Sequence, residues 1–194
     1  MINSSKQKLL YIHGLSSSGN SNTVRTLRRL LPEMEIIAPD IPVEPRQVLS
    51  LLEQLCEKEN PDIVIGTSMG GMFAQQLHGY RKILINPAFH VSEFMRSITG
   101  VQPFLNPRID GAVEYEITED LCDAYMEIEK TQFCGVTDFD KENTFGFFGK
   151  NDTLVCCEKE FRQYYKHYYL YQGEHRLSVE DIRDTIIPFI KQIL

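Results

Sequence analysis

Short apolar runs alternate with amphipathic stretches along most of the chain. Six apolar runs predict strands, at 9–12, 35–38, 63–65, 82–85, 145–148 and 167–171. Apolar residues at helical spacing predict helices over 23–31, 46–58, 69–80 and 178–194, and one between the last two strands. Ser178 is the predicted N-cap of the closing helix. Because strands that alternate with helices form βαβ units, we expect an α/β fold: a mainly parallel sheet of about six strands with helices on both faces.

One segment, from about Phe89 to Lys141, breaks this alternation. It shows no clear strand, and only 120–133 has helical spacing. The segment is too long for a plain loop. We therefore expect one domain over residues 1–194, with a cap-like insertion at about 89–141 that covers the top edge of the sheet.

Composition narrows the classes of partner. A chain of 194 residues with 42% hydrophobic and 24% charged residues is typical of one globular domain. The net charge of −7 argues against a nucleic-acid partner, because phosphate contacts need clustered Lys and Arg. No stretch has the pattern of a signal peptide or is apolar enough to insert in a membrane. Five cysteines without metal-ligand spacing predict reduced thiols, a cytoplasmic protein and no metal site; the oligomeric state stays open.

The most informative motif follows the third predicted strand. Gly66-Thr67-Ser68-Met69-Gly70 matches G-x-S-x-G between a strand and a helix, the pattern of a nucleophile turn. Side chains two residues on either side of Ser68 would collide with backbone, so Gly66 and Gly70 are expected there. A Gly-rich turn that merely packs closely is the structural alternative.

A second loop follows the first predicted strand. His13-Gly14 continues into Leu15 and the Ser16–Ser18 run. A tetrahedral oxyanion needs two donors, and we expect the backbone N–H groups of Leu15 and Met69. Gly14 lets the loop turn toward the site, and His13 is expected to hold it by hydrogen bonds rather than act as a base. Phosphate binding by the loop is the weaker alternative, because no GxxxxGK[ST] pattern is present.

The acid and the base should follow Ser68 in that order along the chain. Asp152 lies just past the fifth strand and His175 just past the sixth, so they are the candidates. Glu174 and Asp181 are nearer His175 in sequence and are the alternative acids. Three other histidines are less suitably placed: His78, His90 and His167.

These motifs together resemble the α/β-hydrolase superfamily, and more narrowly the small bacterial YqiA-like esterases. The resemblance is carried by the segments Tyr11–Ser18, Gly66–Gly71, Ile85–Ala88, Gly149–Asp152 and Gly173–His175. It implies hydrolysis of acyl esters or thioesters without a cofactor.

The resulting hypothesis is a serine esterase that acts on small carboxylic esters through an acyl-enzyme. Ser68 would attack, His175 would move the proton, and Asp152 would hold the imidazole. Three alternatives remain: a thioesterase, an acyltransferase with the same residues, and a catalytically silent binding protein of this fold.

Overall fold

Strands and helices alternate through residues 6–194, the part of the chain that the computed structural model describes. The strands are β1 (Lys8–Ile12), β2 (Glu35–Ile37), β3 (Ile63–Thr67), β4 (Lys82–Ile85), β5 (Gly100–Pro103), β6 (Glu114–Ile117), β7 (Thr144–Gly149) and β8 (His167–Tyr171). The helices are α1 (Asn22–Leu30), α2 (Pro45–Glu59), α3 (Met69–Ala74), α4 (Val91–Arg96), α5 (Glu119–Thr131), α6 (Asp138–Asn143), α7 (Glu158–Tyr164), α8 (Val179–Asp181) and α9 (Ile187–Ile193).

Six of the described strands form one parallel sheet in the order β2-β1-β3-β4-β7-β8. The chain moves outward from β1 to β2 and then returns to place β3 on the other side of β1. The switch point of the sheet therefore lies between β1 and β3, whose ends meet at the Ile12–Gly66 register. Ligand sites in open parallel sheets form at the carboxyl side of such a point.

Both faces of the central strands β1, β3 and β4 are buried, as their continuous apolar runs predicted, whereas the edge strand β8 exposes Tyr168–Leu170. Successive residues of β1 point to opposite faces: Leu10 and Ile12 belong to one hydrophobic cluster, Leu9 and Tyr11 to the other. The first cluster includes residues of α2, α3, α5 and α7, and the second includes residues of α1 and α9. This arrangement confirms the predicted α/β class and the sheet of about six strands.

The structure corrects the helix expected over 69–80. Helix α3 ends at Ala74, and turns follow it. The buried Lys82 ammonium donates to the carbonyl oxygens of Gln75 (3.4 Å) and Leu77 (2.9 Å), which a continuing helix would use as acceptors. The N–H of Gly79 instead donates to Asp140 Oδ1 at 3.1 Å.

The closing helix begins as expected but is not one continuous α-helix. The Ser178 side chain accepts from the N–H of Asp181, which confirms it as the N-cap. A π-helical turn at Ile182–Ile186 then separates α8 from α9. Pro188 explains this π-helical turn, because it has no N–H to donate to the carbonyl oxygen four residues before it.

The expectation that the insertion lacks strands is wrong. Between β4 and β7 lie α4, the antiparallel hairpin β5–β6, α5 and α6. The sequence pattern did not predict the hairpin, because each of its strands has only four residues and one of them includes Pro103. Helix α5 matches the expected 120–133 to within two residues at each end.

Candidate active site

Ser68 lies on a strained turn between β3 and α3. Its backbone has φ 54° and ψ −124°, a conformation that costs an L-residue about 1–3 kcal/mol. Three hydrogen bonds hold it: Ser68 N donates to Ile85 O (3.0 Å), and Ser68 O accepts from Gly71 N (2.8 Å) and Ala88 N (3.0 Å). The neighbouring strand β4 and the loop after it therefore hold the turn in this strained form.

The two flanking glycines are required by close backbone contacts. A Cβ on Gly66 would lie 2.3 Å from Gly70 O, and a Cβ on Gly70 would lie 2.2 Å from Ile12 O. Real Cβ atoms do not approach backbone oxygen so closely. The glycines thus let α3 pack against the end of β1, as expected from the motif.

Three side chains from three loops form one hydrogen-bonded line. The Ser68 hydroxyl donates to His175 Nε2 (2.9 Å), and His175 Nδ1 donates to Asp152 Oδ2 (2.8 Å). A carboxylate can only accept, so this contact selects the tautomer whose Nε2 lone pair faces Ser68. The Asp152 side chain is 3% exposed, and its Oδ1 accepts from Leu154 N (2.8 Å) and Val155 N (3.0 Å).

The two alternative acids have other roles in the structure. Asp181 accepts from the hydroxyl and N–H of Ser178 as part of the helix cap. Glu174 contributes its backbone carbonyl to Asn86. Asp152 is the carboxylate on the His175 ring.

The loop after β1 lies directly against the nucleophile turn. A Cβ on Gly14 would lie 3.2 Å from Ser68 Cβ and 3.6 Å from Ser68 Oγ. Leu15 and Met69, whose N–H groups are the candidate oxyanion donors, line one shared cavity beside this contact. A side chain at position 14 would crowd Ser68, so glycine suits this close approach of the loop.

His13 is buried beneath this loop and holds it on both sides. Its ring Nδ1 donates to Gly14 O (2.8 Å), while Nε2 accepts from Ile41 N (3.2 Å). Burial lowers the pKa of His13 to about 4, so the ring is neutral at pH 7. With both nitrogens engaged, the ring is a loop brace rather than a base.

The serine run of the same loop contacts the insertion. The Ser16 hydroxyl shares a hydrogen bond with the Tyr115 hydroxyl (2.7 Å), and Ser16 O accepts from Leu105 N (2.7 Å). The Ser18 hydroxyl donates to Pro107 O (2.8 Å). These serines fasten the β5–β6 hairpin to the loop, a role that nothing in the sequence pattern indicated.

The shared cavity is small and mostly apolar. It encloses about 20 Å³, far less than an acyl chain needs. Its walls come from the β1 loop, residues 41–43, Met69 and the insertion, which contributes Phe104, Arg108, Tyr115 and Tyr125. The insertion thus lies over the carboxyl end of the sheet beside Ser68.

Sequence reasoning assigned no role to Asn86, which the structure places among the loops of the site. Asn86 follows β4, is 2% exposed and has φ 44°. The available signal was an Asn-Pro pair directly after a buried strand, but its partners lie about 60 to 90 residues away in the chain.

The remaining histidines lie outside this line of contacts. His78 pairs with Asp140 (3.0 Å), His90 with Glu160 (2.7 Å) and His167 with Glu142 (3.5 Å).

Three further features bear on metal binding, disulfide formation and membrane insertion. Within residues 6–194, no group of three or more His, Cys, Asp or Glu side chains is arranged to hold a metal ion. All five cysteines are free, and Cys56, Cys122 and Cys157 are buried. No helix in this described range is both long and apolar enough to cross a membrane.

Solved structures with the same architecture are α/β hydrolases. Monoacylglycerol lipase of Paleococcus ferrophilus matches with a TM-score of 0.68 and 14% identity, over 95% of this chain and 94% of that one. Est1E of Butyrivibrio proteoclasticus, solved with ferulic acid bound, gives 0.65 and 16%, over 98% and 91%. Mouse alpha/beta hydrolase domain-containing protein 10 gives 0.62 and 12%, over 98% and 92%. At these identities the likeness shows the fold, and the fold is that of an α/β hydrolase.

The family follows from the sequence itself. Residues 8–191 match the model of UPF0227, described as an uncharacterised protein family. The match spans nearly the whole chain, so the protein belongs to UPF0227, the family to which the YqiA-like proteins correspond.

Proposed function

We propose that this protein is a serine esterase that hydrolyses small carboxylic esters through an acyl-enzyme. One observation carries the proposal: the line of hydrogen bonds from Ser68 through His175 to Asp152, at 2.9 and 2.8 Å. Nucleophile and base are within proton-transfer distance, and a buried carboxylate orients the base. One of the matched structures is named as a monoacylglycerol lipase, which is consistent with ester chemistry.

Acylation begins when Ser68 Oγ attacks the ester carbonyl carbon. His175 Nε2 takes the hydroxyl proton, while Asp152 stabilises the resulting imidazolium. The N–H groups of Leu15 and Met69 donate to the tetrahedral oxyanion, and such a donor is worth about 3–4 kcal/mol in the transition state. The intermediate collapses, the carbon–oxygen bond to the leaving group breaks, and His175 Nε2 gives its proton to that oxygen, which leaves as the alcohol.

Deacylation repeats these steps with water. His175 Nε2 removes a proton from a water molecule as its oxygen attacks the acyl carbon. Collapse of the second oxyanion breaks the bond to Ser68 Oγ, which regains the proton from His175. The carboxylic acid leaves and the free enzyme is restored, without a cofactor or metal.

The substrate proposed for this site is a small molecule with a short to medium acyl chain. The insertion bounds the space beside Ser68 with Phe104, Tyr115 and Tyr125, and the cavity of about 20 Å³ there must widen to take even a short chain. Ester substrates of this kind would be met in the cytoplasm, the compartment we propose because five free cysteines suit a reducing environment.

Pre-steady-state hydrolysis of p-nitrophenyl butyrate tests the acyl-enzyme. We expect a burst of one p-nitrophenol per active site when deacylation is slow, absent in Ser68→Ala. Hydrolysis that persists in Ser68→Ala at the wild-type rate would reject the mechanism.

Two alternatives within the enzyme class share the acyl-enzyme. Adding butyryl thioesters and alcohol acceptors separates them. An esterase releases mainly free acid, a thioesterase favours the thioester by kcat/KM, and an acyltransferase passes the acyl group to the alcohol. A silent binding protein would turn over none of them.

A further inference from the structure

Asn86 joins the loops that carry the proposed acid and base. Its Oδ1 accepts from Gly149 N at 2.7 Å, at the start of the turn that bears Asp152. Its Nδ2 donates toward Glu174 O (2.9 Å), Tyr171 Oη (3.0 Å) and His175 O (3.1 Å). One buried carboxamide therefore bonds to both loops at once.

The backbone around Asn86 extends the connection to the nucleophile. Asn86 N donates to Phe147 O (2.8 Å) on β7. Two residues further on, Ala88 N donates to Ser68 O (3.0 Å). The segment 86–88 thus contacts the backbone of Ser68 and His175 and, at Gly149, the start of the turn that carries Asp152.

The two loops are also packed directly against each other. Asn151 N donates to Gly173 O (2.9 Å), and a Cβ on Gly149 would lie 2.5 Å from Gly173 O. Burial raises the pKa of Tyr171 to about 12, so its hydroxyl stays neutral and can accept from Asn86 and donate to Glu174 O (3.4 Å). A shift of the Asn86 amide would be transmitted to a tightly packed neighbour.

We propose that Asn86 is a positioning residue: it holds the loop of His175 where the imidazole can bond to both Ser68 and Asp152. This inference rests on the proposed function. The position requires a side chain that donates and accepts at this length, on a residue that tolerates a positive φ, and asparagine meets these requirements. Asn86 orients the base through the loop that carries it and contacts no reacting atom itself.

The Asn86→Asp variant tests this role with the least change of shape. The carboxylate can still accept from Gly149 N, but it loses the N–H donors and opposes the carbonyl oxygens of Glu174 and His175. We expect kcat for p-nitrophenyl butyrate to fall about 10- to 100-fold with KM within about twofold, since misplacing a catalytic group by an ångström costs rate. The low-field NMR resonance of the His175 Nδ1 proton should broaden or vanish.

A matched control removes a buried carboxamide elsewhere. Gln132 is 1% exposed and its amide donates to Phe89 O (2.8 Å) and Glu129 O (3.1 Å), away from the loops of 149–152 and 173–175. Gln132→Ala should lower the thermal midpoint but leave kcat per folded molecule and the low-field resonance unchanged.

Tyr171→Phe provides a second variant in case Asn86→Asp does not fold. It removes only the hydroxyl between Asn86 and Glu174, and we expect a kcat loss of about three- to tenfold. Wild-type kcat in both variants, or in the only one that folds, would overturn the inference while leaving the esterase proposal intact. If the wild-type protein hydrolyses no ester and takes no fluorophosphonate label, the proposed function fails instead.

Discussion

At the scale of single residues, buried polar groups set the geometry of the site. His13 is 3% exposed, and its neutral ring joins the Gly14 loop to Ile41. A buried ring that accepts one hydrogen bond and donates another cannot gain a proton without losing the accepted bond. This requirement makes the loop sensitive to acid.

The pH dependence of stability tests the role of His13. Its pKa falls from about 6.5 to about 4 on folding, so between these values the unfolded chain binds more protons. The stabilisation is complete above about pH 6.5 and is lost as the pH falls toward 4. From pH 7 to pH 5 the free energy of unfolding should drop by roughly 2 kcal/mol on this account alone.

Urea unfolding at pH 7 and pH 5 measures that drop. His13→Asn should be less stable at pH 7 but should lack this part of the pH dependence. Equal pH slopes for the two proteins would show that His13 does not titrate as described.

The residues predicted from sequence were those with a local signal. Ser68 lies in a five-residue motif, and Asp152 and His175 follow strands in the required order. Asn86 and the serine run gave no such signal, because their partners are distant in sequence and only the folded sheet edge brings them together.

At the scale of elements, the β5–β6 hairpin and the loop after β1 form one unit beside Ser68. Ser16 and Ser18 bond to the hairpin or its connecting turn, and Phe104 lines the cavity. The Arg108 guanidinium lies 4.4 Å from the Phe104 ring centre. The hairpin therefore bounds the space that the proposed acyl chain would enter.

The acyl-chain preference should follow from this boundary. In a series of p-nitrophenyl esters, kcat/KM should favour short to medium chains over palmitate and over amides. The preference should be graded, because each methylene that fits is worth only about 1–3 kcal/mol. A steady rise through palmitate, or a preference for amides, would contradict this view of the insertion.

Phe104→Ala should shift the optimum toward longer chains by opening the cavity. Phe94 offers a matched control, because it belongs to the same insertion but is 54% exposed. Phe94→Ala should leave the optimum unchanged. A shift of the same size in both variants would show that the cavity does not determine the preferred chain length.

The hairpin also shows that hydrophobic periodicity does not predict very short strands. The alternation in Glu114–Ile117 is typical of a half-buried strand, but four residues are too few to distinguish it from a loop. The strands of the main sheet were predicted to within two residues at each end, because each is an apolar or aromatic run, and the central ones are buried on both faces.

At the scale of the whole molecule, the parallel sheet was predictable but the order of its strands was not. Alternating strands and helices imply parallel pairing, while the order depends on which face each crossover helix covers. A buried ion pair, which the sequence analysis did not predict, joins the end of the insertion to the first residue of β4. This end of the strand lies away from the candidate site. The Lys82 ammonium lies 2.6 Å from Asp140 Oδ1, and both side chains are fully buried.

This pair should matter for stability and not for chemistry. Burial lowers the pKa of Lys82; for Asp140, burial opposes ionisation, but the bonds from Lys82 and Thr137 hold its pKa below the usual value. Asp140→Asn leaves Lys82 without its counter-charge and should cost about 3–5 kcal/mol in chemical unfolding.

The exposed pair of Asp138 and Lys141 on the same helix is the control. Asp138→Asn should leave the unfolding midpoint nearly unchanged, because exposed ion pairs contribute little. Ester hydrolysis per folded molecule should be unchanged in both variants, and loss of kcat in Asp140→Asn below its melting temperature would contradict the separation of stability from chemistry.

Active-site labelling tests the central claim most directly. A fluorophosphonate probe should modify wild-type protein at Ser68 alone, located by peptide mass spectrometry, because in the proposed mechanism His175, 2.9 Å away, activates that hydroxyl. Ser68→Ala should take up no probe, and His175→Ala should react at least about a thousandfold more slowly. Labelling of Ser68→Ala at the wild-type rate, or of another residue in the wild-type protein, would contradict the account.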